Sequence, residues 1–261
     1  MILLLGGTSE TAGAAEALAR AGYDVLVSNA TDIELDVGRH ERIQRRTGKL
    51  DATALTELVR RQGVRAIVDV THPYAAEAHK AAEQAALSQG LPCFRLQRLA
   101  WLGQARWPHE DDILFADSHE VAAELACRAG RSILLTVGAN HVATYARHAR
   151  QAGASLAARV LDRGESVRAC REAGLAEDRI IAARGPFDLE QNRQHIRRFG
   201  ADVLVTKDSG QAGGLPAKLE AARAEGCRVV VLRRPAETGR YARLFESVED
   251  LVAAVRRIVT I

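Results

Sequence analysis

Unbroken aliphatic runs recur along the chain at Met1–Leu5, Asp24–Ser28, Arg65–Val70, Ile133–Val137, Asp202–Thr206 and Arg228–Leu232. A run of this kind predicts a strand buried on both faces. Between the runs lie alanine-rich segments with helical spacing: Ala14–Ala21, Ala52–Gln62, Glu77–Gln89, Glu120–Ala129, Val142–Gln151 and Ala217–Glu225. Gly22, Gly63, Gly90, Gly130, Gly153, Gly200 and Gly226 stand just before the next strand. Glycine takes the left-handed conformation cheaply, so these positions are expected to be helix-to-strand corners. Strand and helix alternate throughout, which predicts an α/β fold with parallel sheet covered on both faces.

The stretch Gln97–Asp112 breaks the rhythm with Trp101, Trp107, Pro108 and the acidic Glu110, Asp111 and Asp112. A domain boundary is expected there. After it, Arg131–Gly138 and the helix running to Gly153 repeat the layout of Met1–Gly22. The expectation is two Rossmann-like parallel-sheet domains, residues 1–100 and residues 101–261, with a cleft between them.

Composition narrows the function. The chain has 261 residues, with 36 Lys and Arg against 33 Asp and Glu. That near balance excludes nucleic acid as the first partner to consider, and 4% aromatics offer no stacking platform for single strands. The basic residues divide into 32 Arg and only 4 Lys: Lys49, Lys80, Lys207 and Lys218. The apolar N-terminus stops at Gly6-Gly7, too early for a signal peptide or membrane span, so a cytoplasmic protein with no membrane partner is expected. Cys93, Cys127, Cys170 and Cys227 form no C-x-x-C pair, and no H-E-x-x-H occurs, so no metal is expected.

In a parallel sheet, ligands collect where the chain leaves the strands. The first such loop, Gly6-Gly7-Thr8-Ser9-Glu10, combines glycines with hydroxyls at a helix start and suits a phosphate, although its spacing is not G-x-G-x-x-G. At the end of the second strand Ser28 stands where NAD enzymes carry an acid, and Arg39, Arg42, Arg45, Arg46 and Lys49 follow, so a dinucleotide bound here is expected to be NADP. The third loop, Asp69-Val70-Thr71-His72-Pro73-Tyr74, places a charge in a valine strand and polar tips at the ligand edge. The fourth, Val137-Gly138-Ala139-Asn140-His141, either mirrors the first or merely turns the chain. The fifth runs from Thr206-Lys207-Asp208-Ser209-Gly210 through Gly213-Gly214 to Lys218 and holds two of the four lysines, compact ammonium groups in an arginine-rich chain.

Together these segments resemble the precorrin-6A reductase family of corrin biosynthesis, the CobK/CbiJ type. The resemblance is carried by Leu5–Glu10, Gly48-Lys49-Leu50-Asp51, Thr71-His72-Pro73-Tyr74-Ala75, Gly185-Pro186-Phe187-Asp188 with Glu190 and Asn192, and Thr206–Gly210 with Gly213-Gly214 and Lys218. They span the whole chain in the family's order. Val137-Gly138-Ala139-Asn140 departs from the expected polar turn and weakens any role for that loop.

The resemblance implies reduction of a carbon–carbon double bond in the macrocycle of precorrin-6A by NADPH, giving precorrin-6B. Hydride chemistry belongs to the cofactor, which agrees with the lack of a G-x-S-x-G elbow or a convincing triad. Gly6, Gly7, Thr8, Ser9, Glu10, Ser28, Lys49, Thr71 and Pro73 are then expected to bind the cofactor, and His72, Tyr74 and Lys207 to be candidate proton donors. Arg184, Asn192, Arg193, Asp208, Ser209, Gly210, Gly213 and Lys218 are expected to bind a carboxylate-rich tetrapyrrole. Partners are that tetrapyrrole and neighbouring enzymes of the corrin pathway. The alternatives are an NADP-dependent reductase of another conjugated polycarboxylate, or a non-catalytic NADP sensor, which leaves the Lys-Asp-Ser-Gly loop unexplained.

Overall fold

Along the chain the elements run β1 (Ile2–Leu5), α1 (Glu10–Arg20), β2 (Val25–Asn29), β3 (Ile43–Thr47), α2 (Ala52–Arg61), β4 (Ala66–Asp69), α3 (Ala76–Gln89) and β5 (Cys93–Leu96). They continue with β6 (Ile113–Ala116), α4 (His119–Ala129), β7 (Ser132–Leu135), α5 (Val142–Ala152), β8 (Ser155–Val160), α6 (Gly164–Glu172) and β9 (Ile180–Ala182). The last are α7 (Leu189–Phe199), β10 (Val203–Lys207), α8 (Leu215–Ala224), β11 (Arg228–Leu232), β12 (Arg243–Phe245) and α9 (Val248–Ile258). The computed structural model describes residues 1–30, 36–97, 113–210, 213–235 and 243–260. The expected boundary segment lies outside the described residues from position 98 to 112, both tryptophans included.

Two units divide the chain. One is Met1–Leu99 with Ala236–Ile261, and the other is Ala100–Pro235. Each holds a six-stranded sheet among the described residues, β12-β5-β4-β1-β2-β3 in the first and β6-β11-β10-β7-β8-β9 in the second. All neighbouring strands pair in parallel. Chain order reverses between β1 and β4, and again between β7 and β10. At such a point the loops leave toward opposite faces and open a crevice at the carboxyl edge.

The two sheets have the same internal order but take their sixth strand from opposite directions. β6 precedes β7 in the chain, whereas β12 comes from the C-terminal end to pair with β5 through Arg243↔Phe94 and Phe245↔Leu96. α9 then buries Leu251, Ala254 and Val255 in the core shared with α1, and the Tyr23 hydroxyl donates to the Val259 carbonyl at 2.7 Å. The second unit therefore ends at Pro235, a correction to the expected division at 101–261: the apolar stripe of α9 is spent on the first sheet.

In the first unit α1 and α9 cover one face of the sheet, while Leu55, Val59, Ala82 and Ala85 of α2 and α3 cover the other. In the second, Ile196, Leu215 and Leu219 of α7 and α8 pack on Leu134 and Leu204. Six of the seven corner glycines are left-handed. Gly130 is the exception, with an extended φ of −168°. Space decides there: a Cβ would collide with the Asp202 carboxylate, which accepts from the amides of Arg131 and Ser132.

Candidate functional site

At the carboxyl edge of the first sheet, β1 turns through Gly6 and Gly7 into α1. A Cβ on Gly6 would come within 2.6 Å of Thr11 Cγ2 and 2.7 Å of Asn29 Oδ1, so only glycine lets the loop pass this close to β2. The amides of Gly7 and Thr8 donate to Thr11 Oγ1 at 3.1 and 3.2 Å, and the Thr8 hydroxyl donates to the Val70 carbonyl at 2.8 Å. The loop is thus pinned to β4 from within. Beside it lies an open hollow lined by Gly6, Ser28, Lys49 and Thr71, with Leu50 and Leu55 as its apolar wall. At its rim Ser28 Oγ accepts from Arg46 Nη1 at 2.7 Å, and Arg46 Nη2 donates to the Thr47 carbonyl at 2.8 Å. Asn29, next in the strand, is buried, and among the described residues neither of its amide atoms has a hydrogen-bond partner.

Behind Thr71 is a buried chain of polar groups. Asp69 Oδ1 accepts from the Thr71 amide at 2.9 Å and its hydroxyl at 2.6 Å, while Oδ2 lies 2.7 Å from His79 Nδ1. His79 Nε2 lies 2.7 Å from Arg95 Nη2. A guanidinium only donates, so Nε2 accepts and the ring proton sits on Nδ1, facing the carboxylate. Burial opposes ionisation of Asp69 most strongly, but the bonds from His79 and Thr71 outweigh it and hold the carboxyl below its ordinary range.

At the carboxyl edge of the second sheet, Lys207 ends β10, and burial lowers its pKa. The loop beyond it closes on itself. Asp208 Oδ1 accepts from the Gly210 amide at 3.3 Å, Ser209 Oγ donates to the Gly213 carbonyl at 3.1 Å, and Lys218 Nζ donates to the same carbonyl at 3.3 Å. The rings of His119 and His141 stack at 3.7 Å, and His119 Nδ1 lies 3.0 Å from the Tyr145 hydroxyl. Burial, then His141, then Lys207 push His119 down to about 4. Burial, with Arg159 and Lys207, lowers Lys218 to about 8.

Arg159, inside β8, is buried and donates from Nη1 to Asn192 Oδ1 at 2.8 Å, with His195 Nδ1 at 3.0 Å. Its guanidinium carbon stands 4.0 Å from the centroid of the Phe187 ring. The Asn192 amide nitrogen donates to the carbonyls of Phe187 at 3.1 Å and Asp188 at 2.7 Å. Asn192 thus ties the Gly185–Asp188 turn to Arg159.

Of the residues expected to bind a cofactor, Gly6, Ser28, Lys49 and Thr71 meet at the large hollow, and Thr8, Glu10, Thr71 and Pro73 line a smaller one. Gly7 is exposed, and Ser9 is the N-cap of α1, its hydroxyl on Glu10 at 3.3 Å. His72 and Tyr74 have ring centroids 5.5 Å apart in the turn before α3. Lys207, Asp208, Ser209, Gly210, Gly213 and Lys218 share the second sheet's edge. Arg184 is exposed, and Arg193 is held by Glu225 at 2.7 Å, away from the Arg159 group. Unanticipated are His79, Arg95, Arg159, His119 and His195. Arg95 and Arg159 carried a visible signal, a charge inside a buried strand.

Residues 1–256 match the family model described as precorrin-6x reductase CbiJ/CobK. The chain is 35% identical over 269 residues to the precorrin-6A reductase of Rhodococcus erythropolis, covering 100% of this chain and 98% of that one. It is 32% identical over 256 residues to the cobalt-precorrin-6A reductase of Priestia megaterium, covering 98% of each. A solved structure of CobK precorrin-6A reductase superposes with a TM-score of 0.79 at 25% identity, covering 99% of this chain and 97% of the other. With the match running through both sheets and both edges, the chain belongs to the precorrin-6x reductase family.

Proposed function

We propose that the protein reduces a carbon–carbon double bond of precorrin-6A with NADPH, giving precorrin-6B, in cobalamin biosynthesis. The observation that carries this reading is the match of residues 1–256 to the family, together with a carboxyl-edge hollow whose lining suits a nucleotide. Gly6 gives close backbone approach, Leu50 and Leu55 offer apolar surface, and Ser28, Arg46 and Lys49 supply two cations and a hydroxyl for a 2′-phosphate. The Asn29 amide below the glycine turn, without a hydrogen-bond partner among the described residues, is a further donor and acceptor at that edge.

When bound, NADPH supplies the hydride. The rest falls to the chain. In the first unit Thr8, Ser9, Glu10, Thr71 and Pro73 shape the edge along which the nucleotide lies. A hydride added to one carbon leaves its neighbour in need of a proton. His72, Tyr74 and Lys207 are the proposed donors, and burial eases proton release from Lys207. The Lys207–Lys218 loop and the exposed Arg184 offer cations to the carboxylates of the substrate. Asp208 instead orders that loop through Gly210, and Arg193 serves its ion pair with Glu225.

Mixing purified protein with NADPH and precorrin-6A, and in parallel the cobalt form, tests the reading. It is expected to shift the visible spectrum of the macrocycle with one NADPH consumed per turnover. No spectral change and no NADPH oxidation with either form would refute it. Lys207→Ala is expected to slow turnover, and unchanged kinetics would remove that residue from the site.

A further inference from the structure

Among the described residues Thr71 alone lines both hollows at the carboxyl edge of the first sheet. Its hydroxyl has one proton to give and two lone pairs to offer. The proton goes to Asp69 Oδ1 at 2.6 Å, and the Thr71 amide donates to the same oxygen at 2.9 Å. Burial opposes the charge on Asp69, yet the bonds from His79 and Thr71 keep it ionised, and an ionised carboxylate only accepts. What the Thr71 hydroxyl has left for a ligand is therefore acceptor capacity. A pyrophosphate oxygen, itself an acceptor, cannot bond it.

Strand order indicates which part of a nucleotide arrives there. Ser28 and Arg46 pair near the ends of β2 and β3, Thr71 follows β4, and β1 lies between β2 and β4. Neighbouring strands are about 4.8 Å apart, so Thr71 is about 10 Å from Ser28 along the edge. A dinucleotide that sets its 2′-phosphate against Ser28 and Arg46 reaches β4 with its other ribose and its nicotinamide. The hydroxyls and the carboxamide N–H of that half are donors.

Behind Asp69 stands His79 of α3, which lines neither hollow. Its Nδ1 meets Asp69 Oδ2 at 2.7 Å and lies 3.3 Å from Thr71 Oγ1, while Nε2 accepts from Arg95. Each carboxylate oxygen is thus anchored, which fixes the plane of Asp69 and with it the direction of the Thr71 hydroxyl.

We propose that His79 is a positioning residue of the nucleotide site: through Asp69 it holds the Thr71 hydroxyl as an acceptor for an O–H or N–H donor on the nicotinamide half of the cofactor. That the cofactor is NADPH rests on the function proposed above.

Two substitutions each keep one of the two imidazole bonds. In His79→Asn the amide nitrogen falls near the place of Nδ1 and still donates to Asp69. In His79→Gln the amide oxygen falls near the place of Nε2, and only the bond from Arg95 is kept. Binding of NADPH to the full chain, read by nucleotide fluorescence, is expected to weaken about tenfold in His79→Gln and no more than about twofold in His79→Asn. The KM for precorrin-6A at saturating NADPH should stay within about twofold in both. Thr71→Val should weaken NADPH binding about tenfold, Thr71→Ser should retain most of it, and adding His79→Gln to Thr71→Val should cost little more, because both act through one hydroxyl.

2′,5′-ADP lacks the nicotinamide half and should bind wild type, His79→Gln and Thr71→Val alike. 2′-Phospho-ADP-ribose keeps the second ribose without the carboxamide: sensitivity to Thr71→Val assigns the donor to a ribose hydroxyl, and insensitivity assigns it to the carboxamide. Equal NADPH affinities in His79→Asn and His79→Gln, or losses that add in the double variant, overturn the proposal and leave His79 a structural residue. A loss shared by 2′,5′-ADP overturns the nicotinamide half as the partner. If neither His79 variant folds, the Thr71 pair decides: unchanged NADPH affinity in Thr71→Val overturns the proposal, and a loss that Thr71→Ser recovers supports it. Failure of wild-type turnover with the His79 pattern of NADPH binding intact overturns the reductase reading and leaves the positioning role standing. A wild-type chain that binds no NADPH overturns both.

Discussion

His79 Nδ1 lies 2.7 Å from Asp69 Oδ2, so the carboxylate of β4 meets the guanidinium of β5 through an imidazole rather than directly. Asp69 and Arg95 are register partners on adjoining strands, both inside the sheet, and α3 lays His79 across them. Either charge alone would be costly there, and the imidazole lets each be hydrogen-bonded at a separation its own side chain does not span. The second carboxylate oxygen fixes Thr71, which lines the hollow proposed for the nucleotide.

Asp69→Asn should therefore destabilise the protein by about 3–5 kcal/mol at neutral pH, since it removes the one carboxylate from the buried Asp69–His79–Arg95 chain of hydrogen bonds. The sign with pH follows from the lowered carboxyl pKa of the folded state. The stabilisation is complete above the unfolded value of about 3.9 and is lost as pH falls through the folded one. Denaturant midpoints of wild type and variant should differ at neutrality and converge in strong acid. A difference below about 0.5 kcal/mol at pH 7 would mean that the network contributes nothing net.

His119 sets a second acid window, higher than that of Asp69. Its folded value of about 4 lies under its ordinary 6.5, because burial, His141 and Lys207 all disfavour its charged form. The unfolded chain takes up this proton first, so the contribution is whole above 6.5 and drains away as pH falls toward 4. Tm should decline across that interval in the wild type. In His119→Gln the decline should be shallower, and superimposable profiles would show that the stacked pair does not govern it.

The strands legible in the sequence were those buried on both faces, which write themselves as unbroken aliphatic runs. β3, Ile43–Thr47, is an edge strand with two exposed residues, and its Gln-Arg-Arg reads as loop. β5 and β8 were hidden by Arg95 and Arg159, although the same signal, a charge in a buried strand, drew attention to Asp69. Gly6, Ser28, Lys49 and Thr71 meet because a parallel sheet delivers its loops to one edge, so their grouping followed from strand order alone. His79 had no such cue, since helical spacing does not say which strand a helix crosses. Arg193 adjoins Asn192 in the sequence, yet neighbours on a helix point about 100° apart, and Arg193 turns to Glu225.

Gly6→Ala tests how tightly the first loop is built. The added methyl would meet Thr11 Cγ2 at 2.6 Å and Asn29 Oδ1 at 2.7 Å, and Thr11 cannot move without releasing the amides of Gly7 and Thr8. A loss of about 1–3 kcal/mol is expected from overpacking. NADPH affinity should fall at least tenfold, because the turn is displaced from β2. Titration of the variant by nucleotide fluorescence and by denaturant separates the two effects, and retained affinity would show that the nucleotide does not use this turn.

Arg46 offers the sharpest test of cofactor choice. It bonds Ser28 at the rim of the hollow, where an acid would repel a 2′-phosphate, and its fork has N–H donors to spare for a phosphate. A hydrogen bond to a charged group contributes about 1.5–3 kcal/mol, so Arg46→Ala should weaken NADPH binding roughly ten- to hundredfold. NADH has no 2′-phosphate to lose and should bind the variant within about twofold of the wild type. Because Arg46 also bonds the Thr47 carbonyl, the comparison of nucleotides matters more than either constant alone. Equal losses for both would place its role in shaping the Gly48-Lys49 turn. A loss confined to NADPH, partly restored by Arg46→Lys, would identify a phosphate contact, since lysine returns the charge without the fork.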